Sequence, residues 1–308
     1  MPPAHHKTLV IGLRTGRLGN RLVLFANIIG FAAEHGYGVV NVAFHSYAHF
    51  FENTRRDIYC RYPVARHRSW FDRLPGAAPA IRKTRIFYQC IHQASEWNDR
   101  FPILGKSVFT LREIPRQTIG LDTAEVQARM ADAKIVFVHA WAIRAPDSVT
   151  RHAEEIRDYL RPIGRFENPG RAAVDRLRRE ADVVIGVHIR HGDYRTWKRG
   201  ACFFTVAQYA AWMQGLVEQF PGKKVSFFVC SDEPRRADEF PGLSVGIGAG
   251  PPLADICALA QCDCIFGPSS TFSQWASFYG NKPLLNLYGR DDRVELEKFR
   301  VSNLEEIP

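Results

Sequence analysis

Short apolar runs alternate with helix-length amphipathic stretches along this chain, and that alternation constrains the fold more than any other feature. It is clearest in the second half, where it predicts helices at 205–220, 253–261 and 270–279 and strands at 183–189, 224–230, 264–266 and 283–287. Strands separated by helices are typical of a parallel sheet covered by helices. The second half therefore predicts a doubly wound α/β unit.

The first half repeats this pattern less regularly. A strand at 8–13, a helix at 18–35 ended by Gly36 and a strand at 38–44 predict one βαβ unit. Residues 134–139 predict a further buried strand. Residues 46–116 are rich in arginine and aromatic side chains, and the pattern does not locate helices within them.

The two halves are separated by residues 161–170, which contain two prolines and two glycines and predict a linker. A chain of 308 residues favours two domains over one. We therefore predict an N-terminal domain over 1–165 and a C-terminal domain over 166–308.

A net charge of +9 and a pI near 9.3 favour anionic partners such as nucleotides, lipid surfaces or nucleic acid. No nucleic-acid recognition motif is present, so we predict no nucleic-acid partner. The basic excess in the N-terminal half predicts either a solvated face or a peripheral contact with an anionic membrane. The residues concerned are Arg55, Arg56, Arg61, Arg66, Arg68, Arg73, Arg82, Lys83 and Arg85.

The sequence shows no secretion signal and no apolar stretch near the roughly 18 residues of a membrane-spanning helix. Seven cysteines, an odd number, are scattered along the chain, which favours a reducing compartment. Cys262 and Cys264 lack the second pair that a zinc site needs, so we interpret them as structural. These observations predict a cytoplasmic protein, at most peripheral at the inner face of a membrane.

Ligands of open α/β sheets bind beyond the carboxyl ends of the strands, which directs attention to four loops. The first holds Gly12, Gly16, Gly19, Asn20 and Arg21 between the opening strand and a helix. Its glycines permit a close backbone approach to an anion at the helix start. The spacing matches neither a dinucleotide fingerprint nor a phosphate loop. An ordinary turn and a ligand-binding loop both stay open.

The second loop follows the strand at 183–189 and carries His188, Arg190, His191 and Asp193. A guanidinium is a planar, permanently charged fork that matches phosphate oxygens. Alternation along a strand places His188 and Arg190 on the same face, so both are predicted to meet one ligand. The alternative is that Arg190 pairs with Asp193 in a turn.

The third loop, Ser231-Asp232-Glu233, also follows a buried strand. A carboxylate there can accept hydrogen bonds from the N1 and N2 donors of guanine or from ribose hydroxyls. The alternative is that Ser231 or Asp232 caps a helix starting at Pro234.

In the fourth loop Ser269, Ser270 and Thr271 occupy a helix start, where hydroxyls and free N–H groups make an anion site. One of the three must be an ordinary cap. The buried face of this helix is predicted to consist of Phe272, Trp275, Ala276 and Tyr279.

Together the four loops resemble the α1,2-fucosyltransferase family and, more distantly, the α1,6- and protein O-fucosyltransferases. That group shows Gly-Gly-Leu-Gly-Asn-Gln, His-x-Arg-Arg-Gly-Asp-Tyr, Ser-Asp-Asp and Asn-Ser-Ser-Phe-Ser-Trp-Trp in this order. The corresponding segments here are Gly16-Arg-Leu-Gly19-Asn20-Arg21, His188-Ile-Arg190-His191-Gly192-Asp193-Tyr194, Ser231-Asp232-Glu233 and Ser269-Ser270-Thr271-Phe272-Ser273-Gln274-Trp275.

The resemblance implies a GT-B fold, in which two Rossmann-like doubly wound domains face a central cleft. It implies GDP-fucose as the donor substrate, bound mainly by the C-terminal domain, and a glycan acceptor bound mainly by the N-terminal domain. It implies no cofactor and no obligatory metal, in agreement with the lack of an Asp-x-Asp sequence.

By position, the resemblance implies a role for each of the loop residues. His188 and Asp232 hold guanine, and Arg190 binds the β-phosphate. The remaining donor-binding residues are the helix start at Ser269, Ser270 and Thr271, the opposite cleft wall at Gly16, Gly19 and Asn20, and His191 beside the diphosphate.

This chain also departs from the family pattern. His191 stands where the family has a second arginine, which removes a permanent charge beside the diphosphate. Arg17 and Arg21 replace Gly and Gln, and Gln274 replaces the first Trp.

The resemblance implies an inverting glycosyltransferase that moves fucose from GDP-fucose to a hydroxyl of a galactoside or related glycan. The pattern does not assign the catalytic base, and Asp193 is the candidate, with orientation of Arg190 as its alternative role. Two other functions stay open: a GT-B transferase with another nucleotide sugar, and a nucleotide-binding protein without catalysis.

Overall fold

A computed structural model of the protein describes residues 7–57, 59–64, 86–100, 105–114, 117–248 and 250–307. The chain divides into two compact units, Met1–Ile163 and Gly164–Pro308. Each is built around a parallel sheet, so the predicted α/β class is confirmed. The part of the chain that is described has no helix long and apolar enough to cross a membrane.

Unit 1 is built on a four-stranded parallel sheet in the order β2-β1-β5-β3, with a separate parallel pair β4-β6. Its strands are β1 (Thr8–Ile11), β2 (Gly38–Val40), β3 (Val108–Arg112), β4 (Ile119–Gly120), β5 (Ile135–His139) and β6 (Ile143–Arg144). Its helices are α1 (Leu18–His35), α2 (Ile86–Arg100), α3 (Ala124–Met130), α4 (Pro146–Arg151) and α5 (Ala153–Tyr159).

Helix α1 has the bounds that the sequence predicts. It ends because Gly36 adopts a left-handed conformation with φ 66°, which glycine tolerates without strain. Within the helix, the buried Asn27 amide donates to the Val23 carbonyl and accepts from the Ala145 backbone N–H at 2.7 Å. This amide therefore joins α1 to the start of α4.

Unit 2 is built on a six-stranded sheet in the order β12-β11-β10-β7-β8-β9, parallel except for the edge strand β12. Its strands are β7 (Val183–Ile189), β8 (Val225–Ser231), β9 (Ser244–Ile247), β10 (Cys264–Pro268), β11 (Pro283–Leu287) and β12 (Arg300–Val301). Its helices are α6 (Gly164–Arg178), α7 (Val206–Glu218), α8 (Pro252–Leu259) and α9 (Thr271–Gly280).

The central strand β7 is buried along its whole length and divides the unit into two helical layers. Val187 and Ile189 point into the core that includes Tyr209 and Trp212 of α7. Alternate residues point the other way: a Cβ at Gly186 would lie 2.8 Å from Leu259 of α8. His188 belongs to this second face, beside α8 and α9.

The predicted linker is wrong from residue 164 onward, because those residues form the first turns of α6. Phe166, Gly170 and Val174 give this helix a buried stripe at helical spacing. Gly170 packs so closely on α8 that an added Cβ would lie 2.5 Å from the Ala254 carbonyl oxygen. This packing outweighs the backbone hydrogen bond that Pro169, inside the helix, cannot make.

The sequence also misplaces some strand limits. The second predicted strand ends at Val40, and Val42–Phe44 form a 3-10 turn whose start is capped by the Asn41 side chain at 3.1 Å. Strand β9 and helix α2 are additions that the pattern did not locate. Of the basic residues between 55 and 116, those at 66–85 and Arg116 lie outside the described residues.

The cysteines of unit 2 behave as the sequence indicates. Cys262 and Cys264 are free and buried, and burial raises the pKa of the Cys264 thiol to about 12. The Cys262 thiol lies 3.5 Å from the Ala258 carbonyl oxygen inside the helical layer. Both act as small buried side chains.

Candidate functional site

His188 lies at the carboxyl end of β7 in a buried pocket of side chains. Its ring is 3% exposed and stacks on Phe272 with centroids 4.8 Å apart. The Nδ1 atom is buried and has no hydrogen-bond partner among the described residues. A buried polar atom without a partner is costly. Its position at a strand end is therefore suited to a ligand that supplies the missing hydrogen bond.

The strand beside β7 leaves room for this histidine only because residue 267 is glycine. A Cβ at Gly267 would lie 2.5 Å from the His188 carbonyl oxygen and 3.0 Å from the His188 Cβ. On the other side, Cys230 of β8 is the register partner of His188. The sheet itself thus fixes where the imidazole stands.

Burial, with the neighbouring Arg190 charge as a smaller cause, lowers the pKa of His188 to about 3. The imidazole is therefore neutral at physiological pH. It can offer one donor and one acceptor to a ligand, but no charge.

This depressed pKa predicts that unit 2 loses stability in acid. Between the folded pKa of about 3 and the unfolded value, the unfolded chain binds more protons, so stability falls as pH drops below about 6.5. Taking the wild type from pH 7.5 to 5 should cost about 2 kcal/mol through this group. Urea unfolding of the wild type and of His188→Asn, at both pH values, measures the effect. Equal losses in the two proteins contradict it.

Arg190 follows His188 and is held by two carboxylates. Its Nη2 lies 2.6 Å from Asp193 Oδ1, and its Nε lies 3.2 Å from Asp232 Oδ2. The guanidinium also lies over the Tyr194 ring, 5.5 Å from its centroid. The pairing of Arg190 with Asp193 that the sequence left open is therefore present. The edge of the guanidinium that carries Nε and Nη2 is held in place by the two carboxylates.

Asp232, at the end of β8, uses both carboxylate oxygens within the protein. Oδ1 accepts from the His191 backbone N–H at 2.8 Å, and Oδ2 faces Arg190. Gly192 is tightly placed here, since an added Cβ would lie 2.7 Å from Oδ2. The Asp232 carboxylate therefore holds the loop after β7 in position.

The alternative helix cap at Ser231 or Asp232 is wrong. No helix begins at Pro234 among the described residues, and the next helical turn is the 3-10 turn at Ala237–Glu239. Ser231 Oγ instead accepts from the Glu233 backbone N–H at 3.2 Å, which makes a local turn.

His191 lies on the opposite side of the strand end from His188. Its ring packs against Phe203, and its Nε2 donates to the Phe204 carbonyl at 2.7 Å, since a carbonyl oxygen can only accept. Its Nδ1 is 3.5 Å from Glu233. The predicted contact of His191 with a diphosphate stays a prediction, and the observed contacts fasten the loop to the segment before α7 and to the loop after β8.

The start of α9 brings the fourth loop to this place. Ser270 is the cap that the sequence requires: its Oγ accepts from the Phe272 backbone N–H at 3.3 Å. The Tyr194 hydroxyl donates to the Ser269 carbonyl at 2.7 Å and so joins the loop after β7 to this helix start. The loops carrying Arg190 and the three hydroxyl residues are thereby connected.

Helix α9 is buried more completely than its predicted stripe. Trp275 and Ala276 are buried as predicted, but Phe272 and Tyr279 are only partly buried. Gln274 is 1% exposed, and neither polar atom of its amide has a partner among the described residues. In the sequence Gln274 stands out only as a departure from a family pattern, and nothing local indicates that its amide is buried.

A second residue that the sequence analysis missed is Asp255, in the first turn of α8. It is 9% exposed, and burial raises its pKa to about 7 although the Gly250 backbone N–H favours the ionised form. A Cβ at Gly248, just beyond β9, would lie 2.7 Å from its Oδ1. Its signal in the sequence is an acidic residue inside the otherwise apolar run 252–260, a place where burial of a carboxyl is unusual.

In unit 1 the glycine-rich loop is shaped by its own contacts. Gly16 has φ +57°, and Arg21 donates to the Thr15, Gly16 and Ala43 carbonyls and to Ser46 Oγ. Arg21 is thus a structural tether. Gly19 and Asn20 lie in the first turn of α1, and the predicted donor contacts of Gly16, Gly19 and Asn20 stay predictions.

A comparison with known protein families supports the resemblance that the loops indicate. The model of glycosyl transferase family 11 matches residues 148–287, somewhat less than half of the chain. This is the α1,2-fucosyltransferase family, so the resemblance predicted from the motifs is confirmed over that segment. The segment includes the loops after β7, β8 and β10. No curated protein matches the chain.

Several solved structures are similar to the whole chain. A mutant of Arabidopsis thaliana FUT1 in complex with GDP is 13% identical with a TM-score of 0.52, over 96% of this chain and 74% of that chain. NodZ alpha-1,6-fucosyltransferase from Bradyrhizobium, soaked with GDP-fucose, is 18% identical with a TM-score of 0.49, over 91% and 94%. The first of these shows that the α/β fold is shared with that protein.

Proposed function

We propose that this protein is an inverting glycosyltransferase that moves fucose from GDP-fucose to a hydroxyl of a galactoside or related glycan. The observation that carries the proposal is the end of β7, where a neutral buried His188 and a pre-positioned Arg190 lie within the segment matched by family 11. The predicted GT-B arrangement is part of this proposal. So are the donor-side and acceptor-side assignments of the two units.

Arg190 and the start of α9 form the proposed diphosphate site. The guanidinium supplies a permanent charge and a planar fork for phosphate oxygens. Helix α9 adds the positive end of its dipole at its N-terminus, beside Ser269, Ser270 and Thr271. Both stabilise the negative charge that develops on the diphosphate as it leaves.

His188 and Asp255 form the proposed guanine site. Both belong to the part of the sheet that α8 covers: α8 packs on β7 and β8, Cys230 of β8 is the register partner of His188, and the Asp255 carboxyl acts electrostatically on the Cys230 thiol. Guanine presents both hydrogen-bond donors and acceptors along its edge. The unpartnered Nδ1 of His188 and the buried Asp255 carboxyl are two groups that can pair with them. We propose that Asp255, in addition to Asp232, accepts hydrogen bonds from guanine, because both oxygens of Asp232 already have partners within the protein.

The proposed reaction needs one base and no metal. The acceptor hydroxyl oxygen attacks the anomeric carbon while its proton passes to the base. The bond from the anomeric carbon to the β-phosphate oxygen breaks, and GDP leaves. The configuration at the anomeric carbon of the transferred fucose is inverted. Asp193, with its side chain 54% exposed, remains the candidate base and also orients Arg190.

A GDP-release assay tests the function directly. The full chain is incubated with GDP-fucose and a panel of β-galactosides, and GDP release and product linkage are measured. Acceptor-dependent GDP release with fucosylated product supports the proposal. Turnover only with another nucleotide sugar replaces the donor, and GDP binding without turnover on any donor indicates a nucleotide-binding protein.

The raised pKa of Asp255 predicts that GDP affinity depends on pH. A carboxylate accepts hydrogen bonds from guanine best when ionised, and a pKa of about 7 leaves it mostly protonated at pH 6 and mostly ionised at pH 8. We expect GDP to bind about tenfold more tightly at pH 8 than at pH 6 through this group.

Calorimetric titration of the wild type and of Asp255→Asn checks this expectation. The variant should lose this part of the pH dependence and discriminate less between GDP and ADP. Ionisation of the GDP phosphates affects binding to both proteins equally. The difference in pH dependence between the two proteins is therefore the contribution of the Asp255 carboxyl. A variant with unchanged affinity and unchanged discrimination removes Asp255 from the guanine site.

A further inference from the structure

A second polar cluster lies in unit 1, outside every loop used above. His139 is the last residue of β5, and His92, Ser95 and Glu96 lie on α2 at spacings of three and four residues, which place them on one side of that helix. One ligand atom from each of His92, Glu96 and His139 lies within 4.8 Å of the others. It is the one group of three or more His, Cys, Asp or Glu side chains at such distances in the part of the chain described.

The hydrogen bonds fix which nitrogen of His139 carries a proton. Ser95 Oγ lies 2.7 Å from the His92 carbonyl oxygen, which can only accept, so the hydroxyl proton points there. Ser95 Oγ also lies 2.8 Å from His139 Nε2 and must accept from it. His139 is therefore protonated at Nε2.

The other nitrogen then faces a carboxylate. His139 Nδ1 is 3.2 Å from Glu96 Oε1, and with the proton on Nε2 this would place two lone pairs against each other. A metal ion between the two atoms removes this repulsion, because both lone pairs then point at the ion. His139 is 5% exposed and lies on the protein side of the contact, whereas Glu96 faces solvent.

We propose that His92, Glu96 and His139 bind a divalent transition-metal ion of the zinc class. Two imidazoles and one carboxylate are a ligand set that such ions favour. Ligands of a tetrahedral zinc ion lie about 3.4 Å apart, close to the His139–Glu96 separation. His92 is the third ligand, and its Nδ1 is buried and has no partner among the described residues.

The surroundings are those of a metal site. Ser95 fixes the tautomer and orientation of His139, as outer partners of metal-bound histidines do. Arg112 Nη2 donates to Glu96 Oε1 at 3.2 Å and orients the carboxylate. Gly12 lets the ring approach β1, since an added Cβ would lie 2.8 Å from Nε2. The ion would join α2 to the end of β5, and the proposed transfer step does not require it.

Cobalt and zinc titrations test the site in the full chain. The background carries His5→Ala, His6→Ala and Cys90→Ser, because a histidine pair and an exposed thiol can bind metal elsewhere. We expect one equivalent of Co²⁺ with the visible spectrum of a tetrahedral complex, displaced by Zn²⁺. Glu96→Gln, His92→Ala and Ser95→Ala should each weaken binding, by about 10- to 100-fold for the outer partner Ser95.

His152→Ala is the matched control. His152 also lies between carboxylates, 3.0 Å from Glu34 and 3.5 Å from Glu155, but no second histidine of the described part of the chain joins them. Its removal should leave the affinity unchanged. Glu96 is 40% exposed in its side chain, so Glu96→Gln should fold, and circular dichroism verifies this. Absence of stoichiometric binding, or equal affinity in Glu96→Gln, overturns the metal site.

Discussion

Replacing Arg190 by alanine is expected to reduce fucosyl transfer by about 10³-fold or more while the fold is kept. The guanidinium is the permanent positive charge at the proposed diphosphate site, and its effect grows as the leaving group becomes more negative. Its removal should therefore lower kcat as well as GDP affinity. Steady-state kinetics with GDP-fucose and the best acceptor measure the loss.

Removal of Arg190 also leaves Asp193 and Asp232 without their shared partner. Asp232 is largely buried, with 17% of its side chain exposed, so alanine should cost some stability as well. Arg190→Lys separates the two effects, because it keeps a charge near both carboxylates and loses the planar fork. We expect the lysine variant to be as stable as the wild type and still strongly impaired in transfer.

Arg195→Ala is the control for charge in the same loop. Arg195 makes a bidentate pair with Glu233 at 2.9 Å, and its side chain is 53% exposed. An exposed pair of this kind contributes little stability. This variant should transfer fucose at nearly the wild-type rate. Unimpaired turnover by Arg190→Ala rules out the phosphate role, whatever Arg195→Ala does.

The best predicted elements are those whose local signals and burial agree. Strand β7 is a continuous apolar run that is buried on both faces, and its bounds match the prediction. Helix α1 has an apolar body and a glycine at its end, and its bounds match as well. In both cases the residues nearby in sequence contain the information that fixes the element.

Helix α6 shows why other elements could not be predicted. Its one proline and two glycines are typical of a linker, and the reason they are helical is a contact between Gly170 and the Ala254 carbonyl of α8, over 80 residues away. Tertiary packing of this kind overrides local propensity. A single sequence does not reveal which glycine is needed for close packing.

The same limit applies to the candidate site. The motifs located His188, Arg190 and Asp232, because polar residues at the ends of apolar strands are a local signal. Asp255 was missed because it lies inside a helix, and its importance comes from burial beside β8 and β9. The role of His191 in fastening the loop to Phe204 likewise depends on a contact 13 residues away.

Gly267→Ala is expected to damage both the fold and the site, since the missing side chain at this position is what lets β10 lie against β7 at His188. The added Cβ would meet the His188 carbonyl oxygen at 2.5 Å, and backbone atoms must move to relieve that contact. Overpacking of a core usually costs about 1 to 3 kcal/mol. We expect a loss at the upper end of that range, with a larger proportional loss of GDP affinity because His188 is displaced.

Gly215→Ala is the matched control, because Gly215 lies within α7 and an added Cβ there meets no atom within 4 Å. Alanine should stabilise this helix by about 0.5 to 1 kcal/mol and leave GDP affinity unchanged. Urea unfolding and GDP titration of the two variants give the comparison. If Gly267→Ala binds GDP as tightly as Gly215→Ala does, then GDP affinity does not depend on the position of His188. A selective loss in Gly267→Ala instead ties nucleotide binding to the spacing of β7 and β10.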